Sequence, residues 1–265
     1  MNIVRPRPST RVAAAGVLLG IVLLAAAARG GDVSAARAAP TSSTDLTRAN
    51  ASSSLVLGYS ASHRPIAATL LAGSHARHTV LVVGSIAGDE PGGTAVTKAL
   101  ASLGAMSGVG LWLIPDMNPD GAARGTRVSA NGVDLNRNFP FRWHHLAAAG
   151  SRYYPGPRPS SEPETQAIEA FILRVRPDLT IWLHQPYGLI DDSQGPLWAE
   201  RMLSRTTGLP LARLPDYPGS AIGWEDQLIP ASAFDVELPG QLSVPTARHY
   251  AAAIRMLVRT LASNP

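Results

Sequence analysis

From residue 54 onwards, the chain alternates short apolar segments with segments of helical character, and this alternation limits its fold more than any other feature. Continuous apolar runs at 79–85 and 179–183 are typical of strands buried on both faces of a parallel sheet. A helix is expected at 162–175, because serine, proline and acidic residues stand at its start and Pro177 follows its end. The alternation predicts one α/β domain, with a mixed and mostly parallel sheet that carries helices on both faces.

The remaining segments extend this pattern. The other predicted elements are a hairpin of 55–59 and 66–71, strands at 110–115 and 233–237, and helices at 92–105, 196–207 and 245–261. Residues 116–140 form a long stretch rich in Gly, Asn and Asp, and a loop of this length in a compact domain is usually functional. Because open α/β sheets bind ligands beyond the carboxyl ends of their strands, we expect the functional residues there and on this loop.

The N-terminal 39 residues have the composition of an export leader. Arginines precede an apolar or glycine stretch at 12–28, and the small-residue sequence ARAA at 36–39 resembles a cleavage site. We expect a signal peptide over 1–39, or an uncleaved membrane anchor, since the stretch has the minimum length of a spanning helix. A polar linker at 40–53 then leads into a domain at 54–265, which we expect to be secreted or otherwise extracytoplasmic.

Charge and cysteine content exclude several classes of protein. Residues 41–265 contain 18 basic and 18 acidic side chains, so the net charge of +4 comes from residues 1–40. No basic stripe with interleaved aromatic residues is present, and we therefore expect no nucleic-acid partner. The chain has no cysteine, which excludes a thiol nucleophile and thiolate metal ligands. We expect a monomer that contacts a membrane only through an uncleaved N-terminal segment.

Two carboxylates and a histidine stand at the ends of predicted strands. Glu90 follows the run 79–85, His184 follows the run 179–183, and Glu237 ends the strand at 233–237. A catalytic zinc ion takes three protein ligands from His and carboxylate side chains and keeps one position open for water. A nearby carboxylate then takes a proton from that water. These residue types and positions are typical of a zinc hydrolase.

Polar and cationic side chains on the long loop suit an anionic ligand. Arg127, Asn136 and Arg137 all lie within 116–140. Arginine forms paired hydrogen bonds to carboxylates, and cationic groups also stabilise a developing oxyanion. We interpret these three residues as candidates for binding the substrate.

Several segments together resemble a known family. The matching segments are GSIAGDE (84–90), PDMNPDG (115–121), GTR (125–127), NGVDLNRNFP (131–140), YPG (154–156) with SEPE (161–164), WLHQP (182–186) and VELP (236–239). In this order they resemble the zinc carboxypeptidase family (M14 type), and within it the small bacterial branch of murein-peptide amidases. The resemblance extends from about residue 55 to the C-terminus, and its most specific part is NGVDLNRNFP.

The resemblance implies a metal site with one altered position. It implies that Glu90 and His184 bind one zinc ion, and that Glu237 is the general base that deprotonates the zinc-bound water. The family pattern is G-x-x-H-G-[DE]-E, and its histidine is the first metal ligand. In this chain the position of that histidine is occupied by Ala87. A methyl group cannot coordinate a metal, so the resemblance leaves open whether zinc is bound tightly, weakly or not at all.

The resemblance also implies a substrate. Arg127 would polarise the scissile carbonyl, and Asn136 with Arg137 would hold the carboxylate beside the scissile bond. The implied activity is that of an exported amidase or carboxypeptidase acting at the γ-D-glutamyl–diaminopimelate bond of peptidoglycan peptides. Two alternatives remain: a catalytically impaired relative that binds cell-wall peptides, and an ordinary enzyme in which Ala87 is a single altered residue.

Overall fold

A computed structural model describes residues 52–192 and 195–263 of the chain. The leader expected at 1–39 lies outside the described residues. So does the expected linker, except for Ser52 and Ser53, which already belong to the first strand. None of the described helices is both long and apolar enough to cross a membrane.

Eight strands and six helices make up the described part of the domain. The strands are β1 Ser52–Tyr59, β2 Pro65–Ala72, β3 His78–Val83, β4 Val109–Ile114, β5 Leu179–His184, β6 Tyr187–Asp191, β7 Leu211–Ala212 and β8 Ala233–Pro239. The helices are α1 Gly92–Ala101, α2 Pro119–Arg124, α3 Pro163–Val175, α4 Leu197–Thr207, α5 Ala221–Leu228 and α6 Val244–Ser263.

One sheet runs through the domain in the order β1-β2-β4-β3-β5-β8-β6-β7. The four central strands β4, β3, β5 and β8 are parallel to one another. The pairs β1–β2, β2–β4 and β6–β8 are antiparallel, and β7 pairs parallel with β6. Strands β3, β4 and β5 read as mostly apolar runs because helices cover both faces of the sheet. The prediction of a mixed, mostly parallel α/β sheet is confirmed.

Two apolar cores lie on opposite faces of the sheet. On one face α1, α4 and α6 pack against alternate strand residues such as Val80, Val82 and Ile181. On the other face α3 and α5 pack against the intervening residues, among them Leu81 and Trp182. Since successive side chains of a strand point to opposite faces, each central strand contributes to both cores.

The structure contains elements that the sequence pattern did not predict. The segment 116–140, expected as a loop, holds the short helix α2 and a 3-10 turn at Leu135–Arg137. Strands β6 and β7 and helix α5 were also not predicted. Each is short, and the two strands depend on pairing with partners distant in sequence, so local periodicity carries little signal for them.

The sheet brings three strand ends together. Parallel strands β3, β5 and β8 are adjacent, and His184 of β5 lies directly beside Glu237 of β8. The loop that carries Glu90 leaves the carboxyl end of β3. Residues from three separate parts of the chain therefore meet at one edge, which is where open α/β sheets bind their ligands.

Candidate active site

A cavity of about 350 Å³ lies at the carboxyl ends of these strands. Its lining includes all six candidate residues predicted from the sequence: Glu90, Arg127, Asn136, Arg137, His184 and Glu237. Leu146, Tyr153, Tyr187 and Tyr217 line the cavity and are partly exposed. A cavity of this size suits a ligand of amino-acid or short-peptide dimensions.

Glu90 and His184 face one another in the buried part of the cavity. The Glu90 Oε2 atom lies 3.6 Å from His184 Nδ1, a separation that one metal ion can bridge. Both Glu90 oxygens also contact protein donors: Oε1 accepts from Arg127 Nη1 at 2.9 Å and Oε2 from the Gln185 backbone N–H at 3.0 Å. Burial would raise the pKa of Glu90, but His184 and Arg127 outweigh burial and lower it.

The donors present do not complete a catalytic zinc site. The resemblance in sequence implies a zinc site, and a catalytic zinc site needs three protein ligands. Glu90 and His184 fit as two of them, but Ala87 is buried and carries no donor atom. Across residues 52–192 and 195–263, no group of three or more His, Cys, Asp or Glu side chains is arranged to hold a metal ion.

The loop after β3 and helix α2 are fastened together by Asn118. Its Oδ1 atom accepts from the Gly121 N–H at 2.9 Å, and its Nδ2 atom donates to the carbonyls of Ile86 and Arg127 at 3.3 and 2.9 Å. The backbone of Gly88 lies so close to α2 that a Cβ atom there would overlap the Gly121 backbone. The motif PDMNPDG therefore sets the positions of Glu90 and Arg127 relative to each other.

Arg127 is held in place by two carboxylates. Its Nε atom donates to Asp134 Oδ2 at 2.8 Å and its Nη1 atom to Glu90 Oε1. Its guanidinium also lies 5.6 Å from the centre of the Tyr153 ring. Asp134, Glu90 and Asp89 together raise the pKa of Arg127 although burial opposes them, so this cation is permanent.

Asn136 and Arg137 occupy the 3-10 turn that Asp134 caps. The Asn136 Oδ1 atom accepts from the Ala221 N–H at 2.9 Å and so docks the start of α5 beside the cavity. Arg137 Nη1 donates to the Asn136 carbonyl at 2.6 Å, and its guanidinium lies 4.3 Å from the centre of the Tyr217 ring. Within the described residues, no carboxylate lies within ion-pair distance of Arg137, which leaves this cation available to an anionic ligand.

Glu237 is buried near the carboxyl end of β8 and lines the same cavity. Burial raises its pKa, His184 partly offsets that effect, and the nearby carboxylates of Glu90 and Asp235 add to it. A carboxylate with a raised pKa is a better proton acceptor near neutral pH than an ordinary one. The arrangement therefore suits Glu237 to remove a proton from a bound water.

Sequence reasoning missed three polar residues of this region. Gln185 connects three segments, since its Oε1 atom accepts from the Gly92 N–H and its Nε2 atom donates to the Pro239 carbonyl. Asp235 and Asp191 line the cavity from β8 and β6. A signal for Asp235 existed, because residues two apart on a strand share a face and Glu237 is already a candidate. The sequence gives no such signal for Asp191, since β6 itself was not predicted.

A segment without helices or strands, residues 141–161, borders the cavity mouth. Leu146, Ala147 and Tyr153 of this segment contribute to the lining. An ion pair fastens it to the loop after β3, since Arg152 Nη1 donates to Asp89 Oδ2 at 2.7 Å. The segment thus places apolar and aromatic surface opposite the charged floor.

Comparison with known proteins supports the same family. The zinc carboxypeptidase profile matches residues 44–190. Murein peptide amidase A of Escherichia coli strain K12 is 39% identical over 123 residues, which are 41% of this chain and 50% of that protein. The chain therefore spans about half the length of this curated relative.

Solved structures extend the likeness beyond that segment. The crystal structure of murein-tripeptide amidase from Escherichia coli O157 superposes with a TM-score of 0.62 at 28% identity, covering 77% of this chain and 91% of that one. Carboxypeptidase A from Helicoverpa armigera has a TM-score of 0.72 at 18% identity, covering 84% of this chain and 72% of that one. The second match supports only the assignment of the fold.

Proposed function

The chain belongs to the zinc carboxypeptidase family, and from this premise we propose that it hydrolyses an amide bond beside a free carboxylate in peptides derived from peptidoglycan. The observation that carries the proposal is that Arg137 and Glu237 line one cavity. The first is a cation without a carboxylate partner in the described part of the chain, and the second is a buried carboxylate with a raised pKa.

The side chains divide the chemical work between them. Arg137 binds the substrate carboxylate, aided by the Asn136 amide, whose Nδ2 atom has no hydrogen bond within the described residues. Arg127, fixed by Asp134 and Glu90, faces the scissile carbonyl and stabilises negative charge on its oxygen. Glu237 accepts a proton from the attacking water and returns one to the leaving amine.

The relatives support the substrate class. The matched Escherichia coli proteins are named murein peptide amidase A and murein-tripeptide amidase. We propose the γ-D-glutamyl–diaminopimelate bond as the bond that is cut, because the residue that follows it carries the free carboxylate that Arg137 would bind. The leader-like sequence of residues 1–39 supports action outside the cytoplasm, and we propose that the chain acts as a monomer.

The test is hydrolysis of the tripeptide L-Ala-γ-D-Glu-diaminopimelate, followed by mass spectrometry of released diaminopimelate. The full chain should release diaminopimelate, and its rate is compared with and without supplied zinc. Glu237→Gln should lower the rate about 10²–10⁴-fold. The variant should bind the peptide nearly as well as the wild type, because Gln keeps the size of the side chain. Release that is equally fast in Glu237→Gln would remove the proposed role of this residue.

A second candidate is binding without turnover, which the buried Ala87 favours because the metal site lacks a ligand. It predicts that the wild-type chain binds the tripeptide and releases no diaminopimelate at any zinc concentration. Turnover that a chelator abolishes and zinc restores would exclude it.

A further inference from the structure

Helices α4 and α6 carry an excess of positive charge on one face of the sheet. Together they contain one acidic residue, the buried Glu200, and five arginines: Arg201, Arg205, Arg248, Arg255 and Arg259. Helices α3 and α5, on the opposite face, contain four acidic residues and one arginine. Basic and acidic side chains balance over residues 41–265, so the domain is neutral as a whole but its charge is unevenly distributed.

The arginines lie on one outer surface, formed by α4 and α6 together. Helix α6 packs against α4, so the exposed sides of the two helices adjoin. Arg248, Arg255 and Arg259 follow one another at intervals of seven and four residues, which places them along one side of α6. Arg255 is half-buried, and the other four arginines are exposed.

These cations have few partners within the protein. Among the described residues, no carboxylate forms an ion pair with Arg205, Arg248 or Arg259, and Arg255 Nη1 donates to the Gly104 carbonyl at 2.7 Å. Burial lowers the pKa of Arg255, and the neighbouring charge of Arg259 lowers it further. Cations gathered in this way repel one another, so an anionic partner at this surface would be favoured.

Large apolar side chains lie exposed on the same two helices. Leu197 and Trp198 at the start of α4 are 41% and 42% exposed, and Met256 of α6 is 45% exposed. Tryptophan is favoured at the headgroup level of a bilayer, and arginine can bind phosphate while its apolar stem lies along hydrocarbon. A dissolved polyanion would pair with the cations but leave the apolar groups in water. The combination therefore favours a lipid surface.

Contact through this surface would leave the cavity accessible. The cavity lies at the carboxyl ends of the central strands, whereas α4 and α6 cover one face of the sheet. None of the residues that line the cavity belongs to α4 or α6. A ligand can therefore enter while the helices rest on a flat partner.

We propose that the outer surface of α4 and α6 binds peripherally to a bilayer that contains anionic phospholipids. The arginines pair with lipid phosphates, and the apolar side chains of Leu197, Trp198 and Met256 lie in the headgroup layer. The proposal does not depend on the reaction proposed above. It adds a second membrane contact to the one expected of the N-terminal segment. The sequence shows no basic stripe because the arginines come from two helices that are far apart along the chain.

The experiment uses the absence of cysteine, since one introduced cysteine then provides a single labelling site. Ala252→Cys places a polarity-sensitive dye on the exposed side of α6, and Leu173→Cys places it on α3 at the opposite face. Both are full chains with the same N-terminal segment, so binding through that segment is common to them. Vesicles of phosphatidylglycerol and phosphatidylcholine in equal parts should shift the emission of the first dye to shorter wavelength and leave the second unchanged.

Two conditions test whether charge governs the contact. Vesicles of phosphatidylcholine alone should give no shift at residue 252, and about 1 M NaCl should abolish the shift because the Debye length is then about 3 Å. Equal shifts at residues 252 and 173 would overturn the proposal, and so would equal shifts with the two kinds of vesicle. A DNA duplex at the same phosphate concentration should give no shift. An equal shift with DNA would mean a general polyanion site and would also overturn it.

A pair of charge variants assigns the effect to the arginines. Arg205→Gln with Arg259→Gln, in the Ala252→Cys chain, should lower the response about 30-fold well below lipid saturation, since each arginine contributes about fivefold. Arg174→Gln with Arg176→Gln removes two charges at the end of α3 and should leave the response unchanged. A full response in the first pair, or an equal loss in both pairs, would contradict the proposed surface.

Discussion

The two sides of the cavity differ in how complete they are. The metal side consists of Ala87, Glu90 and His184, and the carboxylate side consists of Asn136 and Arg137 with the Tyr217 ring beside them. On the carboxylate side each side chain is braced by a specific contact, and the charge of Arg137 lacks a described counter-ion. On the metal side one ligand position is an alanine, and both Glu90 oxygens already accept from protein donors.

This difference indicates that binding of the substrate carboxylate and turnover depend on different residues. Arg137 reaches the cavity from the 3-10 turn, whereas Glu90 and His184 reach it from the ends of β3 and β5. The two sides share Arg127 indirectly, through its ion pairs with Glu90 and with Asp134, the residue that caps the turn. A change on one side should therefore leave the other largely intact.

The largest effect should come from repairing the metal side. Ala87→His supplies the third ligand that a catalytic zinc site needs, so zinc retention should rise and tripeptide hydrolysis should quicken by at least about 10²-fold. Zinc is measured by mass spectrometry after chelation and dialysis, and hydrolysis by release of diaminopimelate. Affinity for Nα-acetyl-diaminopimelate should change little.

Ala87→Leu is the matched control, because it adds comparable bulk at this buried position without a donor atom. It should gain neither zinc nor activity. If Ala87→His behaves like Ala87→Leu and both remain folded, the metal side has lost more than one ligand.

The next effect should come from breaking the carboxylate side. Arg137→Met keeps length but removes the charge, and should weaken binding of the carboxylate ligand by about 1.5–3 kcal/mol, or roughly 10- to 150-fold. Calorimetric titration measures this change. Introduced beside Ala87→His, it should leave zinc content unchanged.

Arg205→Met, on the exposed surface of α4, controls for the loss of one positive charge. It should bind the ligand as the wild type does. A loss of affinity in Arg205→Met equal to that in Arg137→Met would mean that overall charge, rather than a carboxylate site, governs binding.

The smallest effect on ligand affinity and zinc content should come from a residue that lies outside the cavity. Glu225 of α5 is fully buried and contacts Thr180 Oγ1 at 2.5 Å and Trp182 Nε1 at 2.9 Å. Burial raises its pKa from 4.5 to about 7, so the folded chain keeps a proton that the unfolded chain loses. Stability should therefore fall as the pH rises from about 4.5 to about 7, by up to about 3 kcal/mol.

Glu225→Gln cannot ionise and can keep both contacts, so its stability should depend less on pH across this range. Urea unfolding at pH 5 and pH 8 measures the difference from the wild type. Parallel pH dependence in the two proteins would contradict the assignment. Ligand affinity and zinc content should be alike in both, because Glu225 lines neither side of the cavity.

Much of the fold could be predicted because its central strands are apolar on both faces. Strands β3 and β5 read as mostly apolar runs, and β8 reads as an apolar strand interrupted by Asp235. Glu90, His184 and Glu237 lie near the carboxyl ends of these strands. Strands β6 and β7 could not be predicted, since they are short and pair with partners far away in sequence. Asp191 was not predicted as a site residue for the same reason, since it lies on β6.

The contacts that hold the site residues in place could not be predicted from the sequence pattern either. The contact of Arg137 with the Tyr217 ring joins segments distant in sequence, and only the folded chain shows it. The contacts of Arg127 with Glu90 and Asp134 likewise come from tertiary structure. Residue type and position could suggest a cation for this site, but not the carboxylates that hold it.

The most direct test of the central claim is binding of two forms of γ-D-glutamyl-diaminopimelate to the wild-type chain by calorimetric titration. One form has a free carboxylate beside the scissile bond, and the other has that carboxylate converted to an amide. The account predicts that the free acid binds at least about tenfold more tightly, because only it pairs with Arg137. Equal binding of the acid and the amide would contradict it.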